Sequence, residues 1–100
     1  MAILTEEEFR KHAGTTFYAK LGEREVEIKL TEVRGYNPGP AEQKGLERFS
    51  LLFHGPVDSF LPQQSFEMRH DAMGDLYLFL VPISRDDKGF QYEAVFNFYK

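Results

Sequence analysis

Two runs of large apolar and aromatic residues dominate the last third of the chain, and a short polar tract separates them. The runs cover residues 76–83 and 90–98, and the tract 84–89 contains two aspartates, a lysine and a glycine. Aromatic and β-branched runs on either side of turn-forming residues are typical of a β-hairpin. This hairpin predicts a fold built on antiparallel strands.

Four further strands are predicted upstream, because apolar and polar residues alternate with a period of two. They cover residues 15–21, a segment starting at residue 24, residues 48–54 and residues 65–70. Val33 is out of phase with the apolar residues before it, which predicts a bulge or strand end near Glu32. Gly55 and Pro56 are predicted to end the third of these strands.

A short N-terminal helix is predicted over residues 6–13. Thr5 and Glu8 have the spacing of a capping box, and Gly14 is a natural C-terminal stop. Two prolines and two glycines in residues 37–45 predict a loop, which we expect to be the most mobile segment. The chain is therefore expected to be a single domain, residues 1–100, of mainly β class and α+β at the margin. The expected architecture is a six-stranded antiparallel meander or small barrel with one short helix.

The strand predicted over residues 76–83 is apolar on both faces. Three leucines at even positions alternate with Tyr77, Phe79 and Val81, so we expect a central strand buried on both faces, with residues 90–98 as its neighbour. Pro82 has no N–H to donate, which predicts a break or bulge in the pairing. One small domain has one core to fill, so the second face must meet the helix, the long loop or another subunit. The candidate interaction surface consists of Tyr77, Phe79, Val95 and Tyr99.

Composition argues against several classes of function. The net charge is −4 and the isoelectric point is near 5.3, which opposes the basic surface that nucleic-acid binding requires. Absence of cysteine excludes disulfides and thiolate chemistry. An acidic N-terminus and the lack of an apolar run of roughly 20 residues argue against a signal peptide and a membrane helix. We therefore expect a cytoplasmic protein.

The sequence contains no convincing catalytic, cofactor or metal motif. His54 and His70 end two strands that are predicted to pair as a hairpin, which would place them on the order of 20 Å apart. The aspartates stand in turn contexts, where their side chains bond to the backbone. The serines lack the glycine-flanked context of a nucleophile, and no phosphate-binding loop is present. No catalytic, cofactor-binding or metal-ligating residue is therefore assigned.

Residues 49–97 resemble a family of small bacterial proteins known as a domain of unknown function. The resemblance lies in residues 49–56, 61–63, 78–82 and 92–97, in His70 with Gly74, and in the short acidic helix of residues 4–14. It implies a compact β-rich domain without catalytic residues. It also implies a loose association with genes for phage-tail-like collar proteins.

These observations favour a non-enzymatic structural or protein-interaction module, an accessory of a phage-tail-like assembly, with a protein partner or self-association. One alternative is a small barrel that binds an apolar or planar ligand between its aromatic walls. Another is an enzyme that uses His54 or His70 with a nearby carboxylate as acid and base. Few candidate groups support this third reading.

Overall fold

The computed structural model describes residues 5–35 and 46–99, with the side chains of residues 46–47 and 97–99 outside that description. The described residues form helix α1 (Glu6–Arg10) and strands β1 (Thr16–Leu21), β2 (Arg24–Gly35), β3 (Leu46–Pro56), β4 (Gln64–His70), β5 (Gly74–Asp86) and β6 (Gly89–Tyr99). The strands form a closed antiparallel barrel, and the protein is mainly β. The predicted fold class is confirmed. The predicted loop 37–45 lies outside the described residues.

The order of strands around the barrel is β1-β2-β3-β6-β5-β4, with β4 closing on β1. A simple meander order is therefore wrong. β3 and β4 are not neighbours, because β3 pairs with β2 and β6 whereas β4 pairs with β1 and β5. The connection 57–63 passes two strands before β4 begins. This route joins two three-stranded meanders into a closed sheet, which leaves fewer exposed edges than an open one.

Helix α1 lies across one end of the barrel and is shorter than predicted. The Oγ1 atom of Thr5 accepts the N–H of Glu8 at 3.2 Å, as the capping box predicts. The helix ends at Arg10 instead of residue 13, because the chain turns there towards β1. Gly14, at φ +88°, donates its N–H to the carbonyl of Leu30 at 2.7 Å. The turn thus attaches the helix to β2.

The sequence predicted three local irregularities of the strands. Two of these predictions are confirmed, and the third is wrong. The register shifts between Leu30 and Glu32 of β2, and again between Pro82 and Ser84 of β5, so both predicted bulges are confirmed. Gly55 and Pro56, by contrast, continue β3 and pair with β6. Gly55 can do so because it lacks a side chain where Ile28 and Tyr92 lie close to its backbone.

The barrel interior is filled by the inward side chains of all six strands. Phe9 of α1 closes one end and packs against Phe17 and Phe49, with ring centroids 6.4 and 5.9 Å away. Leu61, from the connection between β3 and β4, is fully buried and donates its N–H to the hydroxyl of Tyr92 at 2.9 Å. One core therefore extends from the helix to the β3–β4 connection.

The prediction that β5 is buried on both faces is wrong within the single chain. Leu76, Leu78 and Leu80 face the interior, but Tyr77 is 65% exposed and Phe79 is 50% exposed. In a closed barrel each strand has one inner and one outer face, and the outer face is buried only where another part of the chain covers it. The strand buried on both faces is instead β3, where every residue from position 49 to 53 is buried. The prediction that β6 is the neighbour of β5 is confirmed.

Candidate functional site

Among the described side chains of β5 and β6, four large apolar ones are exposed, and three of them belong to the predicted surface; the fourth is Ile83. Tyr77 and Phe79 of β5 are 65% and 50% exposed, and Val95 of β6 is 63% exposed. Their inner neighbours, such as Leu78 and Ala94, are buried, as expected from alternation along a strand. We call Tyr77, Phe79 and Val95 the outer apolar face. Tyr99, the fourth residue of the predicted surface, has a side chain outside the described part of the structure.

The outer apolar face lies beyond the paired stretch of β5 and β6. The two strands pair from Asp86 with Gly89 up to Val81 with Glu93. Residues 74–80 of β5 pair with β4 on the opposite edge of the strand. β6 continues to Tyr99 alongside β3, so the face borders β4 on one side and β3 on the other.

Carboxylates surround this face. Asp75 precedes Tyr77 on the outer side of β5, and Glu93 precedes Val95 on the outer side of β6. Neither carboxylate has a hydrogen-bond or ion-pair partner within the described residues. On β4, Glu67 pairs across from Tyr77 in the sheet register, and its carboxylate lies 3.6 Å from the ammonium of Lys20. The border of the face therefore carries uncompensated negative charge.

The nearest guanidinium is already engaged. Arg69 donates two hydrogen bonds to the carboxylate of Glu25, at 2.8 and 3.0 Å, and lies 3.4 Å from Asp71. These bonds lower the pKa of Glu25 and raise the pKa of Arg69. The same guanidinium stacks over the ring of Tyr18, 4.0 Å from its centroid. Arg69 is therefore not available to neutralise Asp75 or Glu93.

Two of the three histidines meet beneath α1, which the sequence did not predict. The rings of His12 and His70 lie 4.7 Å apart, and His70 also packs against Phe17 at 4.3 Å. The predicted pairing of β3 with β4 does not form, so it does not set the distance between His54 and His70. No local sequence signal links His12 to His70, because barrel closure brings them together.

His70 has a structural role in the turn between β4 and β5. Its Nδ1 accepts the N–H groups of Ala72 and Met73 at 3.0 and 3.1 Å, and its Nε2 lies 2.8 Å from Oγ1 of Thr15. Burial lowers the pKa of His70, and the neighbouring His12 lowers it further. Both ring nitrogens are occupied, so His70 has no free position for proton transfer.

His54 contacts a carboxylate, as the acid–base alternative requires. Its Nε2 lies 3.3 Å from Oδ1 of Asp86, beside an external groove of about 440 Å³. The same oxygen accepts the N–H groups of Lys88 and Gly89 at 2.8 and 2.9 Å, which closes the β5–β6 turn. The N–H of Lys88 is the largest influence lowering the pKa of Asp86, followed by His54. The main role of the Asp86 carboxylate is therefore to hold the β5–β6 turn.

Within residues 5–35 and 46–99, no group of three or more metal-binding side chains is positioned to hold an ion. No described helix is both long and apolar enough to cross a membrane. Neither the curated proteins nor the solved structures include a match to the chain. A family model matches residues 4–96, which is most of the sequence. The chain therefore belongs to the family described as domain of unknown function DUF6916.

Proposed function

We propose that the protein is a non-enzymatic interaction module that binds a protein partner through the outer apolar face. The observation that supports this proposal most is the exposure of Tyr77, Phe79 and Val95, each at 50% or more, on two neighbouring strands. Single exposed apolar residues are common on protein surfaces, whereas grouped ones mark interaction sites. Aromatic side chains are also enriched among the residues that dominate binding energy.

The non-enzymatic part of the proposal rests on what the histidines do. His70 uses both ring nitrogens within the protein, and the carboxylate beside His54 also holds a turn. The hydroxyl of Ser59, which lines the groove near His54, accepts from Arg24 and donates to Asp58. These residues have structural roles, so an acid–base enzyme is the less favoured reading.

The packing of the barrel disfavours the alternative of an internal apolar ligand. Phe17 and Phe53 meet at 5.4 Å inside the barrel, and Phe49 stacks on Phe96 at 4.6 Å. Barrels of eight strands are only just wide enough for side chains or one small ligand, and six strands enclose less. We therefore place the binding activity on the outside.

We extend the proposal to a cytoplasmic bacterial accessory of a phage-tail-like assembly. This extension comes from the family resemblance, and such assemblies are held together by protein contacts. The net charge of −4 favours protein partners over nucleic acid. Self-association is the second mode by which the same face would be covered.

The experiment compares two valine-to-serine variants. Val95→Ser alters the outer apolar face, and Val57→Ser alters a valine of similar character, 44% exposed, on the β3–β4 connection. Tagged wild-type protein and the Val57→Ser control should co-purify a stoichiometric partner from native lysate, or form a defined oligomer by light scattering. Val95→Ser should lose at least tenfold of that association. Equal behaviour of the two variants would contradict the proposal.

A further inference from the structure

We propose that His12 and His70 form a pH-sensitive latch, which holds α1 on the barrel end at neutral pH and releases it in mild acid while the barrel stays folded. The two rings lie 4.7 Å apart between the α1–β1 segment and the end of β4. The latch does not involve the outer apolar face, so it is independent of the proposed function.

Helix α1 depends on the barrel for its stability. It has five residues, and isolated helices shorter than about 12 residues are marginal in water. The segment that follows it is tied to β2, because Gly14 donates its N–H to the carbonyl of Leu30 at 2.7 Å and Leu30 donates its own N–H to Thr15 at 3.0 Å. Short elements of this kind open as a local unit, before the rest of the fold.

His70 ties the same segment to the β4–β5 turn. Its Nε2 bonds to Oγ1 of Thr15 at 2.8 Å, and its Nδ1 accepts the N–H groups of Ala72 and Met73 at 3.0 and 3.1 Å. A proton on Nδ1 would point at these two donors, so a charged His70 cannot keep either turn bond. Protonation of His70 is therefore incompatible with the closed latch.

A carboxylate on α1 compensates one positive charge at the latch. The Nε2 atom of His12 lies 3.7 Å from Oε1 of Glu8, whose other oxygen is 3.4 Å from the ammonium of Lys11. A proton on His12 thus gains an ion pair with Glu8 in the closed state. The closed latch accepts this first proton.

The second proton meets opposition. A charged His70 would face a charged His12 across 4.7 Å, and like charges at this distance repel. Burial lowers the pKa of His70, His12 lowers it further, and Asp71 partly opposes both effects. Asp71 is also 3.4 Å from the guanidinium of Arg69, which shares its charge. Uptake of the second proton therefore favours the open state.

Opening removes both conflicts, because it separates the two rings and frees the turn. It also withdraws Phe9 from the barrel end, where its ring lies 6.4, 5.9 and 5.6 Å from those of Phe17, Phe49 and Phe96. Phe9, Phe17 and Phe49 are fully buried while the latch is closed. Acid would thus convert a closed barrel end into an exposed aromatic surface.

Amide hydrogen exchange of the whole protein at pH 7.5, 6.5 and 5.5 tests the latch, with protection factors corrected for the intrinsic pH dependence of exchange. The open state takes up a proton on His70 near pH 6.5, so the opening constant should rise by up to about tenfold between pH 7.5 and 5.5. We expect the protection factors of the Gly14 and Met73 amides to fall by threefold to tenfold over this range.

A comparison with the barrel separates local release from global unfolding. Leu51 lies on β3 between β2 and β6, so its amide reports on the barrel. At each pH the Gly14 amide should be at least tenfold less protected than the Leu51 amide, and low urea concentrations should leave its exchange unchanged. Equal protection of Gly14 and Leu51, or a Gly14 protection factor that is constant from pH 7.5 to 5.5, would overturn the latch.

Three variants assign the response to the two histidines. His70→Asn keeps an acceptor for the turn but cannot be protonated, so the fall in Gly14 protection should shrink to twofold or less. His12→Gln leaves the bonds of His70 in place and removes the opposing charge, so its fall should be smaller than that of the wild type. His54→Gln is the matched control and should keep the full fall. Equal responses of His12→Gln and His54→Gln would show that His12 has no part in the latch.

Discussion

The Nε2 atom of His70 lies 2.8 Å from the Oγ1 atom of Thr15, and the hydrogen of this bond comes from the imidazole. The assignment follows from the other bonds of both groups. The Nδ1 atom of His70 accepts two backbone N–H groups, from Ala72 and Met73, and the Thr15 hydroxyl donates to the carbonyl of His12 at 2.6 Å. A neutral imidazole therefore joins the β4–β5 turn to the segment between α1 and β1.

Stability should decrease in mildly acidic solution because of His70. Burial lowers the pKa of His70 below its usual 6.5, so the unfolded chain binds a proton before the folded one as the pH falls. The free energy of unfolding should drop below pH 6.5 by up to about 1.4 kcal/mol per pH unit, until the folded state is protonated too. Above pH 6.5 this contribution is constant.

Urea unfolding at pH 7.5, 6.5 and 5.5 measures this dependence. His70→Asn keeps an oxygen acceptor for the turn but cannot be protonated, so its stability should vary less over this pH range than that of the wild type. His54→Asn is the matched control, because His54 is partly exposed and lies beside Asp86 at the β5–β6 turn. Parallel pH curves for wild type and His70→Asn would rule out this role.

Tyr92→Phe should destabilise the barrel by about 1–3 kcal/mol, because the N–H of Leu61 would lose its acceptor in a buried position. The ring packing is otherwise retained. Tyr77→Phe, at a 65% exposed tyrosine of β5, is the control and should change stability by less than about 0.5 kcal/mol. Chemical unfolding of both variants gives the comparison, and equal stabilities would show that Leu61 finds another acceptor.

Phe9→Ala should release α1 from the barrel end. Phe9 is fully buried against Phe17, Phe49 and Phe96, and such a truncation costs about 3–5 kcal/mol. Hydrogen exchange at the amide of Gly14 reports on docking, because that N–H bonds to β2. Thr5→Ala removes the helix cap and should cost about 1 kcal/mol. A Gly14 amide that stays as protected in Phe9→Ala as in wild type would be inconsistent with this account.

Gly55→Ala should destabilise the protein by about 1–3 kcal/mol through overpacking. The added methyl group would lie 2.8 Å from Cγ2 of Ile28 and 3.3 Å from Cε2 of Tyr92. Combining it with Ile28→Ala makes room, so the double variant should be more stable than the sum of the two single effects predicts. Thermal unfolding of the four proteins gives the coupling energy, and strict additivity would refute the proposed contact.

Local sequence patterns predicted the strands, the helix cap and both bulges, because each depends on neighbouring residues. The bulge after Leu30 and the shift at Pro82 follow from phase and from a missing donor. The strand order could not be predicted from local patterns. Whether β4 pairs with β3 or with β1 depends on how the whole sheet closes. Gly55 and Pro56 were also predicted to end the third strand. The strand instead continues through Gly55, because a residue without a side chain fits close to Ile28.

The candidate site was predicted in part for the same reason. Alternation along β5 and β6 placed Tyr77, Phe79 and Val95 on one side, and the structure exposes all three. Alternation does not encode whether another part of the chain covers the outer side of a strand, so it did not predict that these side chains are exposed. The contact between His12 and His70 depends on residues far apart in sequence, so it had no local signal.

Two strand pairings join the two meanders of the barrel, and these pairings differ greatly in length. β3 and β6 pair along their whole lengths, from Leu46 with Tyr99 to Pro56 with Gly89, whereas β1 and β4 pair at Tyr18 with Arg69 and at Ala19 with Met68. Under mechanical load or partial unfolding, the barrel should therefore open between β1 and β4, while β3 and β6 stay paired. Exposed ion pairs reinforce the short pairing of β1 with β4, so the barrel should open more easily as the ionic strength rises.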